Sequence, residues 1–133
     1  MLTIATIVAP SPIDGLGVFA STFVPEGKIV WAYNPDIDAA IPRDQLFDRD
    51  FGYLRKFGRY SQINRHGCLH DGDNSRFLNH SDRPNICFVE DGLGIALRDI
   101  CAGEEIVCEY DQFLREIVTM SALSGTRTDR HPS

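Results

Sequence analysis

Residues 76–85 read Arg76-Phe77-Leu78-Asn79-His80-Ser81-Asp82-Arg83-Pro84-Asn85. Polar side chains follow one another without a break at Asn79, His80 and Ser81, and Pro84-Asn85 closes the run. Asn and Ser readily bond to nearby backbone, and proline lacks an N–H, so the stretch reads as neither a regular helix nor a regular strand. Those polar groups need partners wherever they are buried. Alone, the tripeptide Asn-His-Ser is a hydrogen-bonded surface turn. What surrounds it decides otherwise.

Downstream, residues 103–111 read Gly103-Glu104-Glu105-Ile106-Val107-Cys108-Glu109-Tyr110-Asp111. A turn leads into a strand that ends in tyrosine, which either packs or delivers a phenol to a site. Strand-like runs also occur at Ile86–Glu90, Leu93–Arg98, Thr3–Val8, Val18–Phe23 and Lys28–Tyr33, with turns at Asp14–Gly17 and Pro25–Gly27. Pro42 suits the first position of a short helix. Asp111–Leu123 has helical apolar spacing at Phe113, Leu114, Ile117, Val118 and Leu123. Short strands with little helix predict a mainly β domain with irregular connections.

The 133 residues suit one domain, over 1–123, with 124–133 a polar, flexible tail. With 43% apolar and 24% charged residues, the composition is globular. No apolar run can span a bilayer, and the N-terminus reads as a first strand rather than a signal peptide. A net charge of −6 argues against direct nucleic-acid binding and favours basic partners such as lysine-rich tails. The four cysteines form no Cys-x-x-Cys pair, and His66, Cys68 and His70 lack a matching fourth ligand. No metal site is expected, and the cysteines read as residues of a reducing, intracellular compartment, cytoplasm or nucleus or nucleoid.

The chain also echoes itself. Asp14–Asn34 lies over Asp91–Asp111 without a gap, with seven identities in 21 positions. Asp-Gly-Leu-Gly recurs, as does Ile-Val-x-x-Tyr at Ile29–Tyr33 and Ile106–Tyr110. Either two related β units form a pseudo-symmetric pair, or turn-strand units merely look alike. The Gly-x-Gly motif is weak evidence for a ligand loop. Its second copy, Gly92-Leu93-Gly94, reads as a hairpin turn, and neither copy has the third glycine or the βαβ setting of a dinucleotide fingerprint.

Taken together in this order and spacing, Gly-Leu-Gly-Val-Phe-Ala, Arg-Phe-x-Asn-His-Ser-x-x-Pro-Asn and Gly-Glu-Glu-Ile-x-x-x-Tyr resemble the SET-domain protein lysine methyltransferases, over about Ile7 to Phe113. The resemblance implies a β-clip of small sheets with short helices and a C-terminal pseudoknot. It implies S-adenosylmethionine as cofactor and a protein lysine, for example in a histone tail, as acceptor. The backbone of Gly15, Leu16 and Gly17 would hold the amino-acid end of the cofactor. Asn79 and His80 would contact its methionine and adenine parts, with Arg76 and Phe77 close by, Tyr60 as a cofactor-side tyrosine and Phe113 over the adenine. Tyr110 matches the catalytic tyrosine, Tyr33 a tyrosine lining the lysine channel, and Phe88 the aromatic that limits how many methyls are added. A second class of function on the same fold is a module that binds cofactor or basic peptide without turnover.

The chain departs from the family in lacking flanking zinc-binding cysteine clusters, so Asp111–Leu123 or a second subunit must close the channel. That open side makes a homodimer an expectation. The short segment Asp36–Gly67 stands where the family reads the substrate peptide.

Overall fold

A computed structural model describes residues 1–42, 62–64, 67–70, 72–89, 92–117 and 119. Among these residues ten strands are arranged in three small sheets: β1 (Thr6–Pro10), β2 (Leu16–Ala20), β3 (Ile29–Ala32), β4 (Ala39–Pro42), β5 (Gln62–Asn64), β6 (Gly67–His70), β7 (Asn79–His80), β8 (Ile86–Val89), β9 (Leu93–Ala96) and β10 (Glu105–Cys108). The sheets run β1-β2-β10-β7, β3-β9-β8 and β4-β6-β5. A 3-10 turn, Asn74–Phe77, precedes β7, and residues 110–117 form a helix. Among the described residues no helix is long and apolar enough to cross a membrane.

The internal echo has a structural meaning. Its two copies pair with each other antiparallel, in one register from Val18 opposite Ile106, through the bridge of Val24 and Ile100, to Ile29 opposite Ile95. A local two-fold near Val24 and Ile100 thus relates the units. The register shifts between Ile29 and Trp31, so that Trp31 lies opposite Gly94.

The late strand β10 enters between β2, which it meets antiparallel, and β7, which it meets parallel. This buries Ile106 and Cys108 completely and gives the Asn79-His80 backbone a ladder partner in Val107 and Cys108. Asn85 extends the same strand from the side. Its Oδ1 accepts from Val107 N–H at 2.9 Å and its Nδ2 donates to the Glu105 carbonyl at 2.8 Å. Asn85 is fully buried, so its amide stands in for a neighbouring strand where β7 has ended.

Several boundaries differ from the expected ones. Pro42 ends β4 opposite Gly67, and the residues that would form the helix expected after it lie outside the described residues. Pro10 likewise ends β1. Both strands lie at sheet edges, where a missing N–H breaks no ladder. Strand β2 begins at Leu16, inside the Gly-Leu-Gly motif, and β10 stops at Cys108. Glu109 causes the latter change. Its carboxylate accepts from the N–H groups of Asp111 and Gln112 at 3.1 and 2.7 Å, capping the helix at residues 110–117.

One core unites these parts. Trp31, Leu78, Ile86, Phe88, Ile100, Ile106, Phe113, Leu114 and Ile117 are at most 2% exposed. Gly92, at φ 70°, makes the β8–β9 hairpin turn. Gly94 has another reason to be glycine: a Cβ there would approach Phe88 Cε1 and Trp31 Cβ to 3.0 Å each.

Candidate functional site

Two groups of expected site residues form, joined by the start of the C-terminal helix. The first surrounds Asn79, which is 7% exposed. Asn79 Nδ2 reaches the carbonyls of Asp14 and Leu16 at 3.1 Å each, and Glu105 Oε2 at 2.9 Å. Three acceptors therefore converge on one amide nitrogen beside the Gly15–Gly17 backbone. Glu105 also accepts from Ser11 Oγ at 2.9 Å, and it lies over Gly17 so closely that a Cβ there would meet Glu105 Oε2 at 2.4 Å. Gly17 thus makes room for the protein's own carboxylate. Gly15 has φ 45°, and a Cβ there would meet nothing within 4 Å, so the space beside it is open.

His80 continues the same edge. Its Nδ1 accepts from Tyr110 N–H at 3.1 Å, which leaves the Nε2 proton facing Asp82 Oδ1 at 3.0 Å. The ring centroids of His80 and Tyr110 lie 5.3 Å apart. The Tyr110 hydroxyl donates to the carbonyl of Leu78 at 2.6 Å. The sequence 78–80 therefore holds Tyr110 at both ends, with the phenol proton engaged by Leu78. Arg76 and Phe77 adjoin this edge in the 3-10 turn capped by Asp73, with the Arg76 guanidinium 5.0 Å from the Phe77 ring centroid.

The second group is aromatic. Trp31 meets Phe88 and Phe113 edge-on at 5.5 and 5.2 Å, and Tyr33 lies 6.4 Å from Trp31. Phe88 and Phe113 stack at 3.7 Å with planes 8° apart. The Tyr33 hydroxyl donates to the Asp38 carbonyl at 3.1 Å, while the buried Asp38 carboxylate accepts from the N–H groups of Asn34 and Gly72. Phe113, expected over the adenine, is fully buried, with its ring against Phe88. Helical geometry sends it inward, three positions past Tyr110, and burying a whole phenyl ring in the core is worth about 2–3 kcal/mol. Tyr60, and the side chains of His66, Cys68 and His70, lie outside the described residues.

Several contributors escaped the sequence reading. Glu105, Ser11, Asn85 and Gln112 all act through bonds to residues far along the chain. Glu105 stood out only as one of the paired glutamates after Gly103. Its neighbour Glu104 faces outward. It meets Arg98 at 2.6 Å and accepts from Cys101 N–H and Asn85 Nδ2, and the Arg98 bond foremost holds its carboxyl below the usual glutamate range. Burial pushes the Cys87 thiol up, which disfavours the reactive thiolate.

The SET domain family profile matches residues 15–111. The chain belongs to the SET domain family. Its mainly β fold of small sheets, with one short helix among the described residues, is the SET fold that the three motifs imply. No curated protein sequence matches the chain significantly. Among solved structures it is similar to a Plasmodium falciparum protein assigned to the histone methyltransferases, at 20% identity and a TM-score of 0.51 over 82% of this chain and 95% of that one. That likeness shows the fold. It is also similar to a humanized mutant of the Chaetomium thermophilum Polycomb Repressive Complex 2 bound to an inhibitor, at 28% identity and a TM-score of 0.52, over 83% of this chain and 15% of that one. This SET domain therefore spans a small part of the Polycomb chain.

Proposed function

We propose that the protein transfers methyl groups from S-adenosylmethionine to the side-chain amine of a protein lysine. The observation that carries this reading is the union of Asn79, His80 and Tyr110: one short edge bonds the Gly15–Gly17 backbone on one side and fixes the phenol on the other.

The residues fit the cofactor. Carbonyl and carboxylate acceptors gathered at Asn79 suit a cationic amine such as that of the methionyl end, and the space beside Gly15 admits a ligand. Gly15, Leu16, Asn79 and His80 would hold it, with Arg76 and Phe77 alongside. When bound, the cofactor supplies an electrophilic methyl on a positively charged sulfur.

The protein's own residues handle the lysine. Its amine must be neutral to attack, and at pH 7 that costs roughly 4–5 kcal/mol from an ordinary pKa near 10.4. Desolvation between aromatic walls lowers the cost by disfavouring the ammonium. Tyr33 and Phe88 are those walls in this reading. Tyr110 accepts an amine N–H at its phenol oxygen in this reading and so aims the nitrogen lone pair, while Leu78 engages the phenol proton. Such alignment supplies several kcal/mol of the barrier reduction.

The acceptor is a lysine in a basic protein segment, histone tails being candidates, since the net charge of −6 favours encounter with cationic chains. We place the activity inside the cell. Incubation with labelled S-adenosylmethionine and either mixed histones or a lysine-rich peptide array tests the reading. Label on protein or peptide supports it. Cofactor binding without label transfer overturns it and leaves a binding module.

A further inference from the structure

Phe88 is held by two consecutive residues of the C-terminal helix. Gln112 Oε1 accepts from Phe88 N–H at 3.0 Å, and Gln112 Nε2 donates to the Phe88 carbonyl. The side-chain amide thus pairs with both backbone groups of one residue, as a neighbouring strand would. In β8 the other edge is taken by β9, with Phe88 opposite Gly94. The next residue, Phe113, lays its ring flat on the Phe88 ring at 3.7 Å. Gly94 and Trp31 also pack against the ring. Backbone and ring are therefore both fixed by a helix that begins at Tyr110, and Glu109 fixes the start of that helix through Gln112 N–H at 2.7 Å.

We infer that Gln112 is a positioning residue that sets how many methyl groups the protein adds, by locking Phe88 relative to Tyr110. The inference rests on the methyltransferase reading and deepens it. A wall residue discriminates amines of different bulk only if it cannot yield, and one methyl of mismatch against a fixed apolar wall changes rates by about 10–200-fold. Gln112 touches neither cofactor nor amine in this account. It acts through Phe88, whose N–H and C=O it saturates.

The test compares transfer to synthetic lysine-rich peptides carrying an unmodified, a monomethylated or a dimethylated lysine. Gln112→Ala removes both bonds. The expected result is a change of about threefold or more in the ratio of kcat/KM values between the peptide forms, toward the bulkier amine. Gln112→Glu keeps the acceptor for Phe88 N–H and loses the donor, so it should fall between wild type and Gln112→Ala, and it serves if Gln112→Ala does not fold. A merely structural role lowers all three kcat/KM values by one common factor. That outcome, or unchanged ratios in both variants, overturns the inference while leaving the methyltransferase reading intact. Absence of transfer by the wild-type chain to every peptide overturns the parent reading and this inference with it.

Discussion

The two copies of the internal repeat end alike in sequence and differ in what holds their tyrosines. The Tyr33 hydroxyl is fastened locally: it meets the Asp38 carbonyl, and the intervening loop is pinned by Asn34 N–H on Asp38 and by Asp36 N–H on Asn34, while the Tyr33 N–H donates across to the Gly92 carbonyl at 2.8 Å. Tyr110 is fastened at long range, by Leu78 through the hydroxyl and His80 through the backbone N–H. A duplicated strand unit therefore supplies the frame. Both hydroxyls find their partners outside the repeat, Asp38 four residues past the first copy and Leu78 well before the second. In the second copy, β10 lies between β2 and β7, which places Tyr110 beside Leu78 and His80.

Removing each hydroxyl in turn should break the symmetry most visibly. Tyr110→Phe should lower kcat about 100-fold with cofactor affinity unchanged, whereas Tyr33→Phe should cost about tenfold, these being the scales of losing one preorganised polar contact and one weaker positioning contact. Steady-state kinetics alongside calorimetric titration would check both. Equal losses would mean that the two tyrosines play equivalent parts.

Asn85→Ala attacks the second copy through its frame. It strips two backbone groups of β10 of their partners in a buried place, so a loss of about 2–3 kcal/mol in denaturant unfolding is expected. A loss under about 0.5 kcal/mol would show that water or a shifted β10 satisfies those groups as well. Phe88→Tyr adds a hydroxyl to a ring already packed by Gly94, Trp31 and Phe113. The number of methyls per lysine should fall, read by mass spectrometry as a several-fold slower second addition. An unchanged product distribution would remove Phe88 from the wall.

The smallest effect concerns the turn before β10. Glu104 is held below its ordinary value of about 4.3, first by its bond to Arg98. A depressed folded pKa stabilises fully above the unfolded value and is lost as pH falls through the folded one. Wild type should therefore lose a little stability below about pH 4.3. Glu104→Gln should cost about 0.5 kcal/mol at neutral pH, as half-exposed pairs do, and be flatter with pH in that acid window. Parallel pH profiles for the two proteins would contradict the assignment.

Much of this was readable from the chain alone. Hydrophobic runs placed most strands, the Gly92 turn was legible as a hairpin, and the three motifs implied the family and the grouping of Asn79, His80 and Tyr110. What stayed hidden was pairing. The repeat showed that two units were alike, not that they lie antiparallel against each other. Asn79-His80 is strand only because β10 arrives parallel to it from 28 residues downstream, Val107 against Asn79. Gln112 carried no signal in the sequence, since its partner is the backbone of Phe88, and backbone partners leave no trace in residue type. The stacking of Phe113 on Phe88 was hidden in the same way, since the two lie 25 residues apart.

The central claim is that this frame moves a methyl group to a lysine nitrogen. The most direct measurement is tandem mass spectrometry of a lysine-rich peptide and its lysine-to-arginine counterpart after incubation with the protein and S-adenosylmethionine. The account predicts added methyl mass on a lysine side chain of the first peptide and none on the second. Cofactor bound in calorimetry with no added mass on any lysine would contradict it.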